Sequence, residues 1–235
     1  MRKGLFQFIE DDVESEQTSK IVAARPLVID ALRDNNITIQ SFDESQWCYG
    51  LSIAENLAFG KLTGSKTTPG EALYSDRIHE VLDANGFDHI VEQIGQQIAK
   101  MIVQGLSSEY TRDQSMIAFN LYSDDHAEEI MQNALAISKK TSEKFTDSDR
   151  NFLMLLFLNL VLDNHDDIRL PGSVVSRIMF IRDEIDSRFN QSQRSGFKRF
   201  EFSEYSPGLS VLENLVFGLL PRDIDDETLE KVLAL

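Results

Sequence analysis

The sequence predicts a mainly α-helical chain of helical hairpins, with two short β-strands at about 37–42 and 198–203 that each lead into a repeated motif. Three observations carry this. Apolar residues recur every three or four positions over most of the chain. Two short stretches alternate apolar and polar residues instead. Finally, LSIAENLAFG (Leu51 to Gly60) returns as LSVLENLVFG (Leu209 to Gly218), an offset of 209 − 51 = 158 positions.

Ile21, Val22, Leu27, Val28, Ala31 and Leu32 give residues 14–33 a helical period that Pro26 interrupts, so two short helices or one restarting at the proline are expected. Asp34-Asn35-Asn36 supplies a turn, and Ile37, Ile39 and Ser41 alternate as a strand. Ser52 with Glu55 three residues on forms a capping box that opens a one-turn helix ending at Gly60. KLTGSKTTPGE reads as a polar loop. From Glu71 a helix presents Leu73, Tyr74, Arg77, Ile78, Val81 and Leu82 and stops at Gly86. Its hairpin mate runs from Asp88 to Val103 with Ile90, Val91, Ile94, Ile98, Met101 and Ile102. Further helices are predicted over 112–122, 127–139, 148–162 and 172–189, and RSGFKRFEF (Arg194 to Phe202) alternates as the second strand.

Aligned without gaps, Phe42 to Gly60 and Phe200 to Gly218 agree at ten of nineteen positions, too many for chance. IHEVLDA (Ile78 to Ala84) lines up with LEKVLAL (Leu229 to Leu235), at an offset of 229 − 78 = 151, so the loop after the second motif copy is seven residues shorter. The second helix is cut off in its first turns, so the chain is expected to be a fragment of a longer product. Four consecutive segments follow: 1–45, an N-terminal helical region and strand; 46–105, the first motif copy with its hairpin; 106–193, a helical insertion; and 194–235, the strand and second copy.

The 235 residues hold enough apolar content for one large core or two modest ones. Lys plus Arg number 23 against 39 Asp plus Glu, a net charge of −16 that opposes phosphate backbones and anionic headgroups; no nucleic-acid partner is expected. Cys48 is the only cysteine, which excludes an intrachain disulfide and a cysteine-based zinc site and fits a reducing cytoplasmic setting. The longest apolar run, NFLMLLFLNLVL, falls well short of the roughly twenty residues needed to cross a bilayer, so no direct membrane insertion is expected. The N-terminus lacks both a signal-peptide core and a basic amphipathic transit face.

The motif S-x-x-E-N-φ-x-F-G after a strand, followed by a loop and an acidic amphipathic hairpin, resembles the segment of an ATP-binding cassette (ABC) transporter ATPase just after its Q-loop. The paired copies resemble a bacterial group in which a long helical insertion separates them. The resemblance covers the chain from about residue 18 onward. It implies a partner interface at Glu55, Asn56, Leu57, Phe59 and Gly60 and again at Glu213, Asn214, Leu215, Phe217 and Gly218. The implied partner is the transporter's transmembrane domain or another part of the parent ATPase, at the inner face of the membrane. ATP and magnesium are implied for the parent protein, with no cofactor bound by this segment alone.

The nucleotide machinery itself is missing. No G-x-x-x-x-G-K-[ST] occurs, since GKLTGSKTT spaces Gly60, Gly64 and Lys66 wrongly for a phosphate cradle. The signature LSGGQ is absent from GLSSEYTRDQ, and in FLNLVLDNHD Asn164 stands where the family's glutamate belongs. Sixteen positions before Gly60 and Gly218 stand Glu44 and Phe202, not the Q-loop glutamine. No catalytic residue is therefore assigned. Two rival readings remain open: a free-standing helical interaction or scaffold module, and an acidic metal-dependent enzyme using His126 and His165 in their DDHAEE and DNHDD settings. Cys48 aligns with Ser206 and is expected to pack rather than react, and Trp47 and Tyr205 are expected in the core.

Overall fold

The computed structural model describes residues 16–63, 68–74, 76–105, 127–164, 168–188 and 196–220. The architecture is mainly helical with two small antiparallel two-stranded sheets. It divides into two compact units that interleave along the chain. The first comprises residues 1–48, 59–64 and 196–235, and the second residues 49–58 and 65–195. The predicted helix at 112–122, the repeat match at 229–235, His126 and His165 lie outside the described residues.

In the first unit, α1 (Glu16–Asp34) is one helix running through Pro26, not two. The proline forfeits a backbone hydrogen bond, but it sits on an exposed face, while Arg25 and Leu32, seven residues apart on a shared face, are buried. Asn36, at φ 56°, closes the helix in a left-handed turn, with the Ile37 amide donating to Leu32 O at 2.9 Å. The strand that follows, β1 (Gln40–Ser41), is shorter than predicted because Ile37 and Ile39 pack against Leu32, Leu212 and Val216 instead of joining a ladder. The polar loop predicted from Lys61 begins later: Gly60–Leu62 forms β2. It pairs with β3 (Phe197–Arg199), the second predicted strand, and β1 pairs with β4 (Gly218–Leu219).

The second unit begins with α2 (Ile53–Ala58), the predicted one-turn helix. The long helix expected from Glu71 is instead two: α3 (Pro69–Leu73), which starts at a Thr68 capping box and ends at the extended Tyr74, and α4 (Asp76–Ala84). Gly86, at φ 66°, stops α4 as predicted, and α5 (Asp88–Gly105) follows. Next come α6 (Ala127–Ser138), α7 (Asp147–Asn159) and α8 (Gly172–Arg188), close to their predicted bounds. α5 packs on α6 and α7. Gly95 lets α5 approach α7 closely, since a Cβ there would stand 2.7 Å from Leu153 O. Asn159 at the end of α7 holds α3, accepting from the Gly70 amide at 2.7 Å and donating to Thr68 Oγ1 at 3.1 Å. Where α4 meets α5, a hydrogen bond with Asp83, reinforced by burial, raises the Asp88 carboxyl from its ordinary 3.8 to about 6.

No helix among the described residues is long and apolar enough to cross a membrane.

Candidate functional site

The two motif copies fold into the same corner. In the first, Ser52 Oγ accepts from the Glu55 amide at 3.1 Å, and Glu55 Oε2 accepts from the Ser52 amide at 2.9 Å. In the second, α9 (Val211–Val216) opens on the same reciprocal pair, Ser210 and Glu213, at 3.2 and 2.8 Å. Each box satisfies amides at a helix start that would otherwise lack a partner.

The asparagines complete the corners. Asn56 Nδ2 donates to Leu51 O and Ser52 O, and Asn214 Nδ2 donates to Leu209 O and Ser210 O, every distance between 3.1 and 3.3 Å. Each corner then turns through a phenylalanine in the left-handed region, Phe59 at φ 43° and Phe217 at φ 46°. The helix expected to end at Gly60 thus stops at Ala58, with the left-handed turn on Phe59. Phenylalanine bears the backbone cost, and Gly60 and Gly218 serve close approach instead. A Cβ on Gly60 would stand 2.5 Å from Lys198 O, and one on Gly218 2.5 Å from Gln40 O.

Those contacts show what the duplication builds. The strand leaving copy one pairs with the strand entering copy two, and the strand leaving copy two pairs with the strand entering copy one. Gly60 faces Arg199, and its counterpart Gly218 faces Ser41. The Phe42 amide donates to Phe217 O and the Phe200 amide to Phe59 O, both at 3.0 Å. The rings of Phe42 and Phe200 stack at 4.0 Å on what is a local two-fold axis inside the first unit. Phe217 and Phe59 meet them edge-on at 5.6 and 5.5 Å.

A buried arginine secures each corner, a feature the sequence reading missed. Arg25 of α1, fully buried in the first unit, donates from Nε to Asn214 O at 2.6 Å, from Nη2 to Asn214 Oδ1 at 3.1 Å, and from Nη1 to Glu201 O at 3.3 Å and to Phe202 O. Burial draws its pKa down from 12.5 to about 10, against an opposing pull from Tyr205. In the second unit, Arg182 of α8, also buried, donates from Nη2 to Asn56 Oδ1 at 3.4 Å. The signal was present in the chain. Ile21-x-x-x-Arg25 precedes Phe42 as Ile178-x-x-x-Arg182 precedes Phe200, with one residue more in the second copy. The repeat therefore includes a helix as well as a strand and a corner.

The proposed interface residues fall unevenly. Glu55, Asn56, Leu57, Phe59 and Gly60 are all buried. In copy two, Asn214, Phe217 and Gly218 are buried, while Glu213 and Leu215 keep partial exposure. Both corner phenylalanines nevertheless border open space. A cavity of about 960 Å³ in the first unit is lined by Phe42, Phe59, Phe200, Phe202 and Phe217, with Leu32 and Arg33 from the end of α1. Phe202, 49% exposed, stands at its edge. Cys48 is buried, its Sγ 3.4 Å from Gln40 Oε1, and Trp47 is buried as expected, with Tyr205 half-buried. Among the described residues no group of histidine, cysteine, aspartate or glutamate is arranged to hold a metal ion.

Set against known proteins, the chain matches no family model, no curated protein and no solved structure.

Proposed function

We propose that this chain is a helical coupling or regulatory segment of a bacterial ABC-type transporter ATPase, making protein contacts at the cytoplasmic face of the membrane while ATP and magnesium are handled elsewhere in the parent protein. The observation that carries the reading is the aromatic cavity. Five phenylalanines, two of them the corner residues of the family-like motif, line one concave surface together with the charged residues Arg33, Asp43 and Glu44. Rigid aromatic surface of this kind suits an apolar side chain or helix from a partner, because it contributes contact area at little conformational cost. The transmembrane domain or a neighbouring part of the ATPase is the partner that the motif implies.

Two measurements test it. Calorimetry of this chain with Mg·ATP should register no binding at micromolar concentrations; micromolar affinity with turnover would contradict the proposal. Phe202→Glu should lower the ATPase rate of the complete transporter while changing the stability of this chain by no more than about 1 kcal/mol. An unchanged rate removes the cavity from the account.

A second reading, a free-standing helical scaffold, is favoured by the burial of Glu55, Asn56 and Leu57, which leaves the first corner no exposed surface from these residues. It predicts that the Phe202 substitution affects no ATPase.

A further inference from the structure

The local two-fold relation between the copies breaks down at the aromatic cavity. Arg199 pairs with Gly60 and Ser41 with Gly218, so Arg199 and Ser41 hold equivalent places in the two sheets. Glu44 and Phe202, each two residues beyond one of the stacked rings of Phe42 and Phe200, are equivalent in the same sense. On the side of copy one, the Arg199 guanidinium lies 5.3 Å from the centre of the Phe59 ring and is ion-paired to Glu44. A cation over the ring is thus part of how that corner is finished. On the side of copy two the equivalent ring is Phe217, Ser41 is too short to reach over it, and Phe202 stands in the place of the carboxylate. Arg25 approaches Phe217 at 4.9 Å, but it comes from α1 and is held by the carbonyls of Asn214, Glu201 and Phe202. Ser41, Phe202 and Phe217 all line the cavity, so the space that a longer side chain at position 41 would fill belongs to it.

We infer, resting on the reading of the cavity as a partner surface, that it takes a cationic side chain, arginine or lysine, from a partner protein, seated against Phe217 and Phe202 as Arg199 is seated against Phe59. Ring faces attract a cation electrostatically, and the attraction grows where water is excluded. Charge complementarity points the same way. Of the ionic residues lining the cavity, Asp43 and Glu44 are acidic and Arg33 alone is basic, and Arg33 is drawn to Asp30 of its own helix at 2.9 Å. The Asp43 carboxylate is fixed in position, accepting from the Ser45 amide and hydroxyl at 2.9 and 2.7 Å and from Gln46 Nε2 at 2.8 Å. Over longer range, the net charge of −16 favours approach of a basic segment. An apolar side chain would gain contact area from the same phenylalanines and nothing from the carboxylates; an acidic one would be repelled.

Two alanine-rich helical peptides serve as the probe, identical except for a central arginine in one and citrulline, its neutral isostere, in the other. Titrated into the intact chain and followed by the NMR signals of the Phe202 and Phe217 rings, the arginine peptide should shift both rings and bind about five- to tenfold more tightly than the citrulline peptide. Ser41→Arg supplies the chain's own guanidinium at the place equivalent to Arg199 and should abolish that preference. Ser19→Arg adds the same charge at an exposed position of α1 outside the cavity and should leave it intact. Where Ser41→Arg disturbs the fold, Phe202→Leu keeps an apolar side chain, removes the ring, and should weaken the preference as read at Phe217. Equal affinities for the two peptides, no binding by either, or a preference that survives both Ser41→Arg and Phe202→Leu overturns the inference. The wider reading fails separately, through the ATPase rate of the complete transporter. If Phe202→Glu lowers that rate while the peptides bind equally, the partner surface stands and the cation inference is overturned; an unchanged rate with a clear arginine preference supports the cation inference and removes the transporter.

Discussion

The two corners share a backbone and differ in what surrounds them. Ser52 to Gly60 and Ser210 to Gly218 make the same capping box, the same asparagine brace and the same left-handed phenylalanine. Yet α2 is buried along its whole length, packed by α3, α7 and α8, while α9 is buried on one side against α1 and leaves Val211, Glu213 and Leu215 partly exposed. Local sequence determines the turn, and tertiary company determines what the turn is for. The enclosed corner acts as core. The half-open one leaves surface beside its helix, and both corners lead through their phenylalanines, Phe59 and Phe217, to the aromatic cavity.

The sharpest way to break the comparison is at the arginines. Arg25→Ala removes a buried cation and strands the acceptors at Asn214, Glu201 and Phe202; a loss of about 3–5 kcal/mol in urea unfolding is expected. Arg182→Ala should cost less, because its hydrogen bond to Asn56, at 3.4 Å, is longer than the 2.6 Å bond of Arg25 to Asn214. Equal losses would show that burial of the guanidinium, not its grip on the corner, sets the stability.

Gly60→Ala and Gly218→Ala come next, at about 1–3 kcal/mol each from overpacking against a backbone carbonyl. The geometry is matched at 2.5 Å, so the two losses should agree within about 0.5 kcal/mol. A clear inequality would mean that the local two-fold relation does not extend to the energetics. Smaller again are the caps. Ser210→Ala should lose about 1 kcal/mol and Ser52→Ala nearer 2, since the Ser52 group is wholly enclosed and leaves its Glu55 partner without water to replace it.

Much of this was legible in the residues. The capping boxes, the bounds of α5 to α8 and the Gly86 stop follow from spacing and turn chemistry alone, because those signals act within one helical turn. The pairing of the copies does not, because β2 and β4 are two or three residues long and have meaning only against partners about 135 or more positions away. Pro26 misled for the same reason: its local penalty is real, and the long-range hold on Arg25 and Leu32 overrides it. Arg25 and Arg182 were visible as matching I-x-x-x-R steps, but only to an alignment that allows a one-residue gap before the strand.

The smallest predicted effect lies away from the corners and serves as their control. With the Asp88 carboxyl raised from 3.8 to about 6, folding takes up a proton between those values. The stabilisation it contributes is complete below pH 3.8 and is lost as the pH rises through 6. Asp88→Asn should therefore stabilise the chain at pH 7, by less than about 1 kcal/mol because the group is largely exposed and screened, and should change little at pH 4. Melting curves at the two pH values read the difference; a gain that is the same at both would remove the Asp83–Asp88 pairing from the explanation.

Native-state hydrogen exchange at the Phe42 and Phe200 amides tests the reciprocal pairing most directly. Each donates to the corner phenylalanine of the other copy at 3.0 Å, so both should be strongly protected, with opening free energies within about 0.5 kcal/mol of one another. Strong protection at one amide and near-unfolded exchange at the other would show that the copies do not hold each other in the manner described.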